Sequence, residues 1–187
     1  MVKKNACIFI SGAGTNLKNL ILKSRNYNFP IKIKLVVCNR SRATGIKYAK
    51  INSIPLLLVD SNDRLYEQKI LLFLKKYNIN LVCLAGYMKI ISKSFLKQYK
   101  KNIINIHPSL LPKFKGLNTF TRILKNKEIK TGCTVHYVNE KLDAGKIIIR
   151  KSFFINKSDN VKTLKTNTQK LEYLSYPEAI INMFKYN

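Results

Sequence analysis

A chain of 187 residues with 46% hydrophobic content can bury one core of ordinary size, and a single domain over residues 1–187 is expected. No apolar run is long enough to cross a bilayer, and "MVKKNACIFI" gives way to "SGAGTN" before a signal-peptide core could form, so a cytoplasmic protein without a membrane partner is expected. The 35 basic and 9 acidic residues leave a formal charge of +26, which would suit a polyanion, but lysine is spread over nearly every segment beside Asn, Ile, Tyr and Phe, which share its A/T-rich codons. Clustering, more than total charge, marks a nucleic-acid footprint, so codon drift is the preferred account and no nucleic-acid partner is expected.

Strand-like and helix-like runs alternate from the start: "NACIFI" then "NLKNLILKS", "IKIKLVVC" then "GIKYAKIN", "IPLLLVD" then "DRLYEQKILLFLKKY", "INLVCLAG" then "SKSFLKQYK", and then "NIINIH". Apolar residues such as Leu65, Ile70, Leu71, Leu74 and Tyr77 follow the helical period. Such alternation builds βαβ units, so the predicted fold class is α/β, a Rossmann-like, mostly parallel sheet with flanking helices. Further on, "TGCTVHYV" and "AGKIIIRKSFFI" are separated by "NEKLDAG", too short for a crossover helix, which predicts an antiparallel strand pair in the C-terminal half. The last helical region, "NVKTLKTNTQKLEYLSYPEAIINMFKY", is predicted to break or kink around Pro177. Cys7, Cys38, Cys83 and Cys133 lie far apart beside apolar runs with no C-x-x-C pair, and are expected as buried, unbridged residues that hold no metal.

Three motifs carry chemistry. "SGAGTNL", Ser11 to Leu17, follows the first strand and opens the first helix. Its glycines allow a tight turn, and the helix start offers N–H groups and a positive dipole end to a phosphate. It is neither the G-x-G-x-x-G fingerprint nor a P-loop, and a plain turn capped by Thr15 or Asn16 remains open. "NIINIHPSLLPKFKG" places Asn105 and His107 where a strand stops, two residues apart and so on one face. At the carboxyl end of a parallel strand, an amide and an imidazole can stabilise negative charge on a carbonyl oxygen. Asp143 in "NEKLDAGKIII" is the third element. A carboxylate beside an imidazole favours the imidazolium, so His107 is expected to stay a proton donor near neutral pH. On residue types alone a structural histidine and an ordinary turn aspartate stay open too.

"NIHPSLLPKFKG" with "LDAG" downstream resembles the folate-dependent formyltransferase superfamily, whose catalytic group is an Asn, His and Asp trio. "ISGAGTNL", "LAGYMKIIS", "TGCTVHYV" and the Glu172 to Pro177 pattern E-x-x-x-Y-P make it similar, over nearly the whole chain, to the family acting on glycinamide ribonucleotide. Pro108 after His107 separates it from the methionyl-tRNA enzymes, which usually have Gly there, and the lack of a second His from the deformylases.

The resemblance implies that Asn105, His107 and Asp143 are catalytic, and that the N–H groups of Gly14, Thr15 and Asn16 hold the substrate phosphate. It puts Gln169 and Glu172 at the ribose and glycinamide portion. It puts Arg64, Met88, Lys89, Ile90, Ile91, Asn105 and the loop Asn139, Glu140, Lys141, Leu142 and Asp143 at the folate. It implies 10-formyltetrahydrofolate as co-substrate and glycinamide ribonucleotide as acceptor, with no metal; His136 is expected as structural support. Departures from the family pattern are Lys89 for Arg, Asp63 before Arg64 rather than an acid after it, Ala144 for Gly, Asn118 and Phe120 for His, and Tyr173 for His. Two other readings stand beside it: formyl transfer or hydrolysis with another acceptor, and a basic nucleic-acid binder on a decayed enzyme scaffold. Nothing in the sequence fixes an oligomeric state.

Overall fold

The computed structural model describes residues 2–185, which fall into two compact units divided between Ile104 and Asn105. In the first unit, β1 (Lys4–Ile10), α1 (Thr15–Ser24), β2 (Ile31–Cys38), α2 (Ile46–Ile51), β3 (Leu56–Leu58), α3 (Tyr66–Lys76), β4 (Leu81–Leu84) and α4 (Lys93–Gln98) alternate as expected. β1 lies between β2 and β4, β3 pairs with β2, and all these pairings are parallel. Strands covered on both faces must be apolar throughout, and Ala6 to Ile10 are fully buried. Phe9 packs edge-on against Tyr87, ring centroids 5.2 Å apart, directly beneath the loop that follows β4. Ile70 and Leu74 bury the inner face of α3, while Leu65 is 58% exposed just before the helix.

β5 (Asn102–His107) runs across the division, so its last residues begin the second unit. There follow α5 (Thr119–Lys125), β6 (Lys130–Tyr137), β7 (Ile147–Phe154) and α6 (Val161–Lys185). β6 and β7 pair antiparallel, with Thr134 opposite Arg150, as the short intervening stretch required. α5 has no clear signal in the sequence; Thr119 and Ile123, one turn apart, bury its inner face.

α6 runs as one helix through Pro177, so a break there, one of the two outcomes expected, does not occur. A proline removes one intrahelical hydrogen bond, but Ser175, Tyr176, Ala179 and Ile180 around it are fully buried, and that packing keeps the helix whole. Its start is capped by Asn160, whose side-chain oxygen accepts the N–H groups of Lys162 and Thr163. All four cysteines are free and buried. Among the described residues, no helix is long and apolar enough to cross a membrane.

Candidate active site

β5 delivers Asn105 and His107 at its carboxyl end, and the turn between β6 and β7 delivers Asp143. His107 Nδ1 stands 3.3 Å from Asp143 Oδ2, and Asn105 Nδ2 donates to Asp143 Oδ1 at 3.4 Å. The structure therefore gathers the three residues singled out in the sequence around one carboxylate. That carboxylate also accepts the N–H of Gly116 at 2.9 Å, a contact with no sequence signal. Asp143 has φ 46 and Phe114 φ 58, both in the left-handed region that L residues avoid. Both strained residues touch His107, since the Phe114 carbonyl lies 2.9 Å from His107 Nε2.

The second histidine belongs to this cluster, where the sequence suggests only structural support. His136 is 2% exposed, with Nε2 3.3 Å from Asn105 Nδ2 and 3.6 Å from Asp143 Oδ1. Its Nδ1 lies 2.8 Å from the Tyr137 carbonyl, which can only accept, so the proton sits on Nδ1. In the neutral ring that leaves Nε2 to accept from Asn105, which orients the amide. A polar ring between apolar neighbours in a strand buried on both faces was the signal available in the sequence.

The direction of the His107 shift is the reverse of the one expected. Burial, the largest influence, lowers its pKa below the ordinary 6.5; the Phe114 carbonyl and the Asp143 carboxylate act against this, His136 and Arg122 with it. For Asp143, burial works to raise the pKa, but the His136 imidazole, the Gly116 N–H and the charge of His107 outweigh it, and the carboxyl ends below its ordinary 3.8. The Phe114 carbonyl can only accept, so His107 Nε2 carries a proton toward it, and the Asp143 carboxylate stands at the other ring nitrogen. The carboxylate beside the ring gives the pair a place to take a proton.

Of the residues expected to bind substrate, Gly14 is the N-cap of α1, at φ 67, and it offers no side-chain oxygen to the helix start; the cap is neither Thr15 nor Asn16. In the loop after β4, Met88, Lys89 and Ile90 are exposed, whereas Ile91 points into the core at 8% exposure. Arg64 is exposed before α3, where Asp63 turns its carboxylate back onto the Leu65 N–H. Asn139 accepts the Lys141 N–H and shapes the exposed stretch Asn139 to Leu142. Gln169 and Glu172 are half-buried one turn apart on α6.

A family model described as formyl transferase matches residues 4–180. Phosphoribosylglycinamide formyltransferase of Haemophilus influenzae is 36% identical over 181 residues, covering 95% of this chain and 85% of that protein. The chain belongs to the phosphoribosylglycinamide formyltransferase family. The family's enzyme from Bacillus subtilis is 34% identical over 98% of this chain and 96% of its own length. A crystal structure of the Bacillus halodurans enzyme superposes with a TM-score of 0.93 at 33% identity, covering 98% of this chain and 97% of that one. Human trifunctional purine biosynthetic protein adenosine-3 is 36% identical over 95% of this chain, and the chain spans 18% of its length. As a formyltransferase of this family, the chain keeps the trio together despite its departures; Asn118, at φ 55, caps α5, and Ala144 offers its carbonyl to Asn139. No group of three or more His, Cys, Asp or Glu among the described residues could hold a metal ion.

Proposed function

We propose that this chain transfers the formyl group of 10-formyltetrahydrofolate to the amine of glycinamide ribonucleotide, giving formylglycinamide ribonucleotide and tetrahydrofolate in purine synthesis, as a single formyltransferase domain. The observation that carries the reading is the cluster of Asn105, His107 and Asp143 in a member of this family. The substrate amine attacks the formyl carbon, and negative charge develops on the formyl oxygen. His107 donates its Nε2–H to that oxygen, which takes the place the Phe114 carbonyl holds in this structure. Asn105, held beside it by His136 and Asp143, turns one of its two amide N–H groups from them to the oxygen.

The attacking nitrogen must lose a proton, and the His107–Asp143 pair accepts it. As the carbon–nitrogen bond to the folate breaks, the same proton passes to the leaving nitrogen through an ordered water, so the pair ends as it began. The N–H groups of Gly14, Thr15 and Asn16 hold the substrate phosphate, helped by the dipole of α1. Gln169 and Glu172 hold the ribose and glycinamide portion; Arg64, Met88, Lys89, Ile90, Ile91 and the stretch Asn139 to Leu142 serve the folate. Lys89 grips the folate carboxylate as a point charge, without the bidentate geometry of an arginine.

The test is formyl release from 10-formyltetrahydrofolate, followed by absorbance, with glycinamide ribonucleotide present or omitted. Acceptor-dependent turnover that disappears in His107→Ala is expected. Turnover independent of the acceptor would mean hydrolysis, and folded protein with no turnover would sink the assignment.

A further inference from the structure

We propose that Gly45, immediately before α2, is a positioning residue that sets the shape of the loop Gly12 to Gly14 and, through it, the preference for a phosphorylated acceptor; this rests on reading that loop as the phosphate site. The Gly45 N–H donates to the Gly12 carbonyl at 3.0 Å. A Cβ on Gly45 would stand 2.8 Å from that carbonyl oxygen, 2.8 Å from Gly14 Cα and 2.9 Å from Gly14 N. The reverse holds, for a Cβ on Gly14 would stand 2.7 Å from Gly45 Cα. These neighbours are backbone atoms, so no rotamer change can make room and one of the two segments must move.

The part that moves is defined by what is pinned. Ser11, buried at 2% exposure, donates its hydroxyl to Asn39 Oδ1 at 2.6 Å, accepts the Met88 N–H at 2.8 Å, and donates its own N–H to the Gly86 carbonyl at 3.2 Å. The loop is therefore tied at its start, and the same ties hold the segment after β4 assigned to the folate. Beyond Ser11, the bond and contact with Gly45 hold the backbone from Gly12 to Gly14. The Tyr48 ring closes the other side, 3.4 Å from where a Gly14 Cβ would be. An added methyl at Gly45 thus displaces the N–H groups that meet the phosphate and leaves the folate segment in place. A displacement of about 1 Å in a positioning element can cost about a hundredfold.

The experiment compares glycinamide ribonucleotide with its dephosphorylated riboside as acceptors for the wild type and for Gly45→Ala. The expected result is at least a tenfold loss of the wild type's kcat/KM preference for the phosphorylated acceptor. It arises from KM, with kcat at saturation and KM for 10-formyltetrahydrofolate within twofold of the wild type. A folded Gly45→Ala protein that keeps the full preference overturns the role of Gly45. A wild type with no preference overturns instead the phosphate reading beneath it. Where Gly45→Ala does not fold, amide exchange in the wild type decides: ribose 5-phosphate should slow exchange at Gly45 at least twofold, and unchanged exchange overturns the proposal.

Discussion

The Asp143 carboxylate meets His107 Nδ1 at 3.3 Å, where burial lowers the pKa of the imidazole while, against its own burial, that of the acid is lowered by the His136 imidazole and the Gly116 N–H. Asp143→Asn removes the charge and the proton acceptor while preserving shape. We expect kcat to fall by about a hundredfold or more, the scale of a positioned acid–base group, with the KM of each substrate within a few-fold. Steady-state kinetics with both substrates varied checks this, and loss of binding instead of turnover would contradict the role given to Asp143.

His136→Ala should act through Asn105, whose amide loses its acceptor. An unpaired amide of this kind costs about 1–3 kcal/mol, and the turnover loss should be smaller than that of Asp143→Asn. His136→Gln, which can offer an oxygen at the same place, should recover part of both stability and rate. Thermal unfolding and kcat measured on the same samples distinguish this from cavity formation, which glutamine would not repair in rate.

The lowered pKa of His107 fixes the sign of a pH effect. The folded state resists protonation there, so between the folded pKa and the ordinary 6.5 the unfolded chain binds more protons. The stabilisation is present above 6.5 and is lost as pH falls through the folded value. Asp143 adds a second loss below its ordinary 3.8. Urea unfolding from pH 8 to pH 5 should show a decline that is shallower in His107→Gln; equal slopes would mean that His107 titrates normally.

The thiols give a check on the core. Burial raises Cys7 well above its ordinary pKa and Cys133 to about 11, and all four cysteines are enclosed. A disulfide reagent at neutral pH should label none within minutes in the native protein and all four in denaturant. Rapid labelling of the native protein would show that the core opens readily.

The repeating units were legible because strand and helix periods are written locally: "NACIFI" and "NLKNLILKS" became β1 and α1. The short helix α5 was not, since its inner face is only Thr119 and Ile123. That the helix would not break at Pro177 could not be read locally, because propensity says nothing of the packing around Tyr176 and Ile180. In the site, Asn105, His107 and Asp143 could be named from the motif. The Phe114 carbonyl and Gly116 N–H could not, being backbone groups that every residue carries. The sign of the His107 shift was missed because adjacency to a carboxylate is visible in a motif, whereas the depth of burial that outweighs it is not.

Asp143 joins Gly116, 27 residues away, and Asn105, 38 residues away, through one carboxylate. Contacts of such separation close long loops and form late relative to the helices beside them. During refolding, ellipticity should therefore return before catalysis does, and the lag between them would time the arrival of the β6–β7 turn.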